Sequence, residues 1–451
     1  MMRLVVYGAV LGLGFIAISR LSLSAETVTS LGAEGSLTST LPRKLTLMKC
    51  LEIAAQSNPA LLQATTGFTD ADGQSIRLHA ILYPRVQAEA LAVPPTIYIQ
   101  VDQFLYNRAI EPQLELSRLT RDQAVLNYQQ ALIEVVFHVR QNFAIALAQQ
   151  GVVDVLQRNL DHYQSMITSA QQLFDAGKIQ QSELLHLQVR DNLALQQLET
   201  TRSSYHQALL QLEMLLGRKL GDVTQLEGAL GEEAIPELDI KKLTAQALQN
   251  RPDLQMLESQ KMAEGQKITI STQALYPTIG FSSNSAFSLP FPVGIGGYDV
   301  NRNFDEIGAQ RPNGDSQIPL SIYFVWTFFD GGRSWGLKQS GEAQIASQDE
   351  ALTALKNSIP GAIEQAVDTL QNAERSLKAL AAAPTAEQLR ANADLDFNSG
   401  RIHLLDKSLI EDSILQQEEG NLNARLRVSL TMAALDHALG HVVQFTSRKN
   451  P

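Results

Sequence analysis

The chain is written twice. Asn58-Pro59-Ala60-Leu61 is echoed by Arg251-Pro252-Asp253-Leu254, and Leu82-Tyr83-Pro84 returns as Leu275-Tyr276-Pro277, both at an offset of 193 residues. Further on, Phe174-Asp175-Ala176-Gly177-Lys178-Ile179 is echoed by Phe397-Asn398-Ser399-Gly400-Arg401-Ile402, and Leu216-Gly217 by Leu439-Gly440, both at 223. Four anchors in one order place an insertion of 30 residues (223 − 193) between Pro277 and Phe397. Duplication on this scale implies two similar units that pack together. The boundaries read from it are a leader at 1–25, a first repeat at 26–230 and a second at 231–451.

Each repeat has the same grammar of a short helix, an aromatic strand region and a very long helical stretch. Residues 109–174 hold one glycine, Gly151, and one proline, Pro112, the latter in the first turn where it is tolerated. At 1.5 Å per residue such a helix reaches about 100 Å. The return stretch carries Leu195, Arg202, Leu209 and Leu216 at a spacing of seven, with Leu198, Tyr205 and Leu212 three residues on. Two rows at period 3.5 predict a coiled-coil seam. Gly217 and Gly440 then end these long-helix regions, 109–216 and 333–440. Pro360-Gly361 and Pro384 are expected to kink or break the second of them.

The aromatics map the strands. Of 27 aromatic residues, 16 lie in 83–106 and 276–335, and both tryptophans, Trp326 and Trp335, are in the second region. Ile97, Ile99 and Val101 alternate with Tyr98, Gln100 and Asp102, a period of two. The first repeat thus predicts a hairpin over 83–106 turning at Pro94-Pro95. The second predicts strands within 277–329 around a Gly-, Pro- and Asn-rich loop at 289–318, which supplies nearly all of the inserted length. Aromatic-rich segments of about 9–11 residues suit transmembrane strands. Four strands are too few to close a barrel, and open edges are not tolerated in lipid. Membrane-spanning strands here therefore demand several chains.

Arg3, the apolar run Leu4–Ile18 and the small residues Ser22-Leu23-Ser24-Ala25 read as a secretory signal cleaved near Ser24 or Ala25. No later run of 18 apolar residues recurs, so no later membrane helix is expected. The net charge of −11 argues against broad nucleic-acid binding, and the single cysteine, Cys50, excludes a disulfide framework or a cysteine-based metal site. Cys50 reads as a small buried apolar residue.

At this point the chain resembles the TolC-like outer-membrane efflux protein family, also called outer membrane factors. Leu45-Thr46-Leu47 with Asn58-Pro59, Arg251-Pro252-Asp253-Leu254, the two Phe-x-x-Gly turns and Phe329-Asp330-Gly331-Gly332-Arg333 carry the resemblance over about residues 45–440. It implies a mainly α fold with a small membrane β part. In it, long antiparallel coiled-coil helices form an α-barrel, and four strands per chain join a 12-stranded barrel in a homotrimer. It further implies an outer-membrane location extending into the periplasm. The expected partners are outer-membrane lipid, a periplasmic adaptor (membrane fusion protein) and an inner-membrane pump or ABC exporter. Phe174, Gly177, Phe397 and Gly400 then mark the periplasmic tip where the adaptor docks. Ser182, Glu183, Phe397 and Asp406 match constricting positions, with Asp406 in an acidic ring around the entrance. Asp330, Gly331, Gly332 and Arg333 form a strand-to-helix turn. Where one family member has a gate arginine, this chain has Ile402 beside Arg401.

No Gly-x-Ser-x-Gly, His-Glu-x-x-His or Walker sequence is present, and Gly294-Ile295-Gly296-Gly297 lies in a loop without the helix a dinucleotide site needs. His437 and His441 are separated by the helix-ending Gly440, which disfavours a metal pair. No cofactor is expected, and nothing argues for catalysis. The reading is a passive exit duct of a tripartite efflux or type I secretion system for small molecules (drugs, metals) or proteins. The alternative is a periplasmic coiled-coil adaptor or spacer without a barrel. The transported substrate stays open.

Overall fold

The structure, a computed structural model, describes residues 44–91, 96–220, 225–232, 238–288 and 320–440. The expected leader, the Pro94-Pro95 turn, the 289–318 loop and His441 lie outside the described residues.

A three-residue strand β1 (Lys44–Thr46) leads into helices α1 (Leu47–Ser57) and α2 (Pro59–His79). The start signals are local. The Thr46 hydroxyl accepts from the Lys49 N–H, and Asn58 Oδ1 accepts from the N–H groups of Ala60 (2.8 Å) and Leu61 (3.2 Å) with Pro59 at the first helical position. Strands β2 (Arg85–Leu91) and β3 (Thr96–Tyr106) follow, then the 66-residue α3 (Ile110–Asp175) and α4 (Gln181–Leu216). Strand β4 (Gln225–Glu227) pairs in parallel with β1 and buries Leu45 against Leu226. The second unit runs α5 (Ile240–Asn250), α6 (Pro252–Ser271), β5 (Thr278–Ser288), β6 (Leu320–Val325), α7 (Arg333–Ala381), α8 (Ala386–Asn398) and α9 (Leu404–Leu439). The duplication extends to element boundaries. Helix α1 maps onto α5 at 193, while α3 maps onto α7 plus α8, and α4 onto α9, at 223.

Four antiparallel strands form one sheet in the order β2-β3-β5-β6. The helices leaving that sheet keep the same order, with α2 on α3, α3 on α6 and α6 on α7. Away from the sheet, α4 packs on α3, α3 on α9, and α9 on both α7 and α8. Two of the core clusters among the described residues hold these layers. Ile359, Ile363, Val367 and Leu370 of α7 meet Val428, Met432, Leu435 and Leu439 of α9 and cap onto Leu243, Ala247 and Leu254. Leu156, Leu160, Tyr163, Met166 and Ala170 of α3 meet Leu184, Leu187, Ala194 and Leu198 of α4, with Leu404 of α9. Each leucine so buried stabilises by roughly 1.5–3 kcal/mol.

Two expectations need correction. Pro360 does not interrupt the second long helix, since α7 runs through it. The proline forfeits its own N–H bond, but Ile359 and Ile363 on either side are fully buried and hold the backbone in place. The break falls instead before Pro384, whose ring disfavours helix in the preceding residue, and Thr385 restarts the helix with a capping box to Gln388. The two heptad rows in α4 do not pack along their whole length: Leu198, Leu212 and Leu216 are buried, while Leu195 and Arg202 are exposed. A stretch of α3 reaches a mean hydropathy of 1.3 over 18 residues without being an unbroken apolar run. Half of that window is buried against other helices, which explains its composition as core. Strand β6 ends at Val325, inside the expected 277–329. Trp326 leaves the ladder to donate from Nε1 to the Leu275 carbonyl at 3.1 Å and to pack at a tilt against Phe328.

Candidate functional site

The sheet has two chemically different faces. Side chains alternate across each strand, so the register assigns every residue to one side. Val86, Ala88, Ile99, Val101, Ile279, Phe281, Ile322 and Phe324 share one face, with Gln103 and Ser283 its polar members. Arg85, Gln87, Glu89, Gln100, Asp102, Ser282 and Ser321 share the other, with Phe104, Tyr323 and Val325 its apolar and aromatic members toward the helices. On the polar face Asp102 accepts from Ser282 Oγ and from Gln100 Nε2, both at 2.8 Å. There Tyr323 lies over Gly280, where a Cβ would come within 2.2 Å of its ring. Ile322 and Phe324 are 73% and 62% exposed on the apolar face. An apolar band backed by a polar face is the pattern of a strand between lipid and water.

Exposed aromatics collect where strands meet helices. Tyr83, Tyr106, Tyr276, Phe328, Phe329 and Trp335 are all solvent-facing, and the Arg108 guanidinium sits 3.7 Å above the Tyr276 ring. Asp330, Gly331, Gly332 and Arg333 lie at the same level, as the turn from β6 into α7. Asp330 accepts from Gly332 N–H at 3.1 Å and Ser334 N–H at 2.8 Å. The Ser334 hydroxyl and these N–H groups hold its carboxyl below the usual range. Gly331 and Gly332 take φ of +70° and +87°, which side chains resist. Such rings suit the headgroup level of a bilayer.

At the other end of the molecule, the structure brings the two repeat turns together. Phe174 and Phe397 pack against one core, beside Ile179 and the buried Leu184 and Leu404. Gly177 N–H donates to Phe174 O and Lys178 N–H to Leu173 O. Gly400 and Arg401 repeat this pattern to Phe397 O and Asp396 O, so both helices end in the same left-handed motif. Ser182 is exposed and Glu183 half-buried in the first turn of α4. Asp406 is exposed in the first turn of α9, where its Oδ2 accepts the His403 N–H at 3.0 Å and so caps the helix. Arg401 pairs with Asp396 (3.1 Å), and Ile402 beside it is half-buried.

Sequence reasoning missed the polar ties behind this tip. The Tyr163 hydroxyl donates to Asp412 Oδ1 at 2.6 Å, and Arg190 holds the other oxygen at 2.7 Å, joining α3, α4 and α9. Burial, reinforced by the Asp412 carboxylate, pushes the Tyr163 hydroxyl up. Arg390 of α8 grips Glu411, whose side chain is only 3% exposed. His437 also finds a carboxylate, Glu134 at 3.0 Å. Among the described residues no group of three or more His, Cys, Asp or Glu side chains could hold a metal ion.

A helical layer continuing a two-faced sheet defines a class, the outer-membrane channel fold. The chain resembles the outer-membrane channel OprN with a TM-score of 0.70 at 17% identity over 87% of this chain and 89% of that one. It resembles the open state of the Neisseria gonorrhoeae MtrE outer membrane channel at 0.67 and 16% identity (87% and 88% covered). The Campylobacter jejuni CmeC outer membrane channel matches at 0.67 and 13% identity (87% and 85% covered). No curated protein matches by sequence. Residues 96–218 match the outer membrane efflux protein family. That segment is just over a quarter of the chain, and the family is the one that the sequence resembles.

Proposed function

We propose that the protein is a passive exit duct in the outer membrane, working as a closed ring of identical chains within a tripartite export system. The observation that carries this reading is the shared order of strands and helices. Among the described residues the sheet ends in unpaired edges at β2 and β6, and the helical layer leaves α2 and α4 at one side and α7 and α8 at the other. A sheet with one apolar face cannot leave its edges open in lipid. Head-to-tail contact between unlike edges closes a ring. Three copies supply 12 strands, within the known range of such barrels.

In this reading residues 1–25 direct export, and the repeats 26–230 and 231–451 build each third of the wall. The turns at Phe174, Gly177, Phe397 and Gly400 meet a periplasmic adaptor, and Ser182, Glu183 and Asp406 line the entrance. Three copies of Asp406 would favour cations there. An inner-membrane pump or exporter supplies the energy, and drugs, metals or proteins are the cargo.

The test is to isolate outer membranes, compare gel mobility with and without heating, and record conductance of the purified protein in planar bilayers. A heat-dissociable oligomer that conducts supports the duct. A soluble monomer without conductance overturns it in favour of a periplasmic spacer.

A further inference from the structure

The hollow side of the four-helix layer has a composition of its own. A cleft of about 1200 Å³ takes its lining from α2, α3, α6 and α7 together. Four successive helices can line one hollow only where the layer is concave, and a concave layer that closes into a ring faces its hollow to the axis. Ten of the 22 lining residues are amides or hydroxyls, and four are charged. Those four are Asp70 and Glu264 against Arg77 and Lys267, so the formal charge is zero. Their neighbours hold them. Lys267 pairs with Glu264 at 3.1 Å, and Asp70 accepts the Gln74 amide at 2.7 Å. The Gln348 carbonyl oxygen is buried and has no hydrogen-bond partner among the described residues.

Resting on the duct reading above, we propose that this cleft is a charge-balanced stretch of the conduit wall. It passes neutral, hydrogen-bonding solutes and small ions of either sign alike, and charge selection is confined to the tip. An amide or hydroxyl wall exchanges its bonds with water for bonds with a solute at little net free energy, on the order of 1 kcal/mol each. Solutes therefore enter without dwelling, which conduction requires. A wall with excess charge of one sign would instead concentrate its counter-ions.

The native chain suits the test, because its one thiol, Cys50, is fully buried. Gln344→Cys and Gln123→Cys each place a single reactive thiol in the cleft. The intact oligomer in a planar bilayer is treated, from the strand side and not through the tip, with methanethiosulfonates carrying an ammonium or a sulfonate. Both reagents are expected to lower conductance, at rates within about threefold of each other, and to shift the reversal potential in opposite directions. Rates differing by about tenfold or more would reveal a charged wall and overturn the proposal. Conductance unchanged by either reagent would also overturn it, by placing the cleft outside the conduit. Failure of the unmodified protein to conduct at all is a different result, which removes the duct itself.

Discussion

At the residue scale, glycines with the same backbone play unlike parts. Gly177 and Gly217 both take positive φ, +69° and +65°. A Cβ on Gly177 meets nothing within 4 Å, whereas on Gly217 it would lie 2.1 Å from the Ser57 carbonyl oxygen. That close approach lets the Ser57 hydroxyl and the Asn58 amide reach the last carbonyls of α4, both at 2.6 Å. Gly177→Ala is expected to cost about 1–2 kcal/mol, the left-handed penalty alone. Gly217→Ala adds a backbone clash and lowers the thermal midpoint clearly further, measurable by differential scanning fluorimetry in detergent. The equivalent Gly440 is closed over by Arg251, which donates to the Ala438 carbonyl at 3.1 Å. Cys50 gives the pH prediction. Burial pushes its thiol from 9.0 up to about 12. Below pH 9 the thiol is protonated folded and unfolded, and its contribution is complete. Above pH 9 only the unfolded chain ionises it, so stability falls by up to about 1.4 kcal/mol per pH unit until the folded value is reached. Unfolding curves of the native chain and Cys50→Ala between pH 8 and 11 should converge as pH rises. Parallel curves would mean the thiol is accessible.

At the element scale, most of the secondary structure was legible, because periodicity and caps are local. The 66-residue α3 follows from an apolar period without internal breakers, and the repeat offsets carry its ends onto α7 and α8. Pro360 was misread because a proline's local cost was weighed without the packing of Ile359 and Ile363 that opposes it. That cost should still be present. Pro360→Ala is expected to raise stability by up to about 3 kcal/mol, read as a higher midpoint in the same thermal assay. No gain would show that the backbone there is already relaxed. The ties behind the tip were illegible, since Tyr163 and Asp412 stand 249 residues apart and each alone reads as an ordinary helix residue. The Phe-x-x-Gly turns were visible because each is complete within six residues. Asp406 was legible as a position, while its bond to the His403 N–H was not.

At the scale of the whole molecule, the two-faced sheet makes the sharpest demand. Phe324 stands on the apolar face, and Phe324→Arg at bilayer depth is expected to cost about 2–4 kcal/mol. It should reduce the heat-dissociable oligomer in outer membranes, whereas Ser321→Arg on the polar face should leave it intact. Equal loss in both variants would remove the assignment of faces. The sequence could announce four strands but not their neighbours, since β3 and β5 join residues about 180 positions apart. Their pairing makes the order of helices and strands agree. One consequence is mechanical. The long helix of the first repeat is a single rod, while its counterpart of the same length is jointed at residues 382–385. Under a load along their common direction, the rod resists as a stiff strut and the jointed member yields at its knee. The two halves of one duplicated chain thus differ in compliance, and deformation of the helical layer begins on the side of the second repeat.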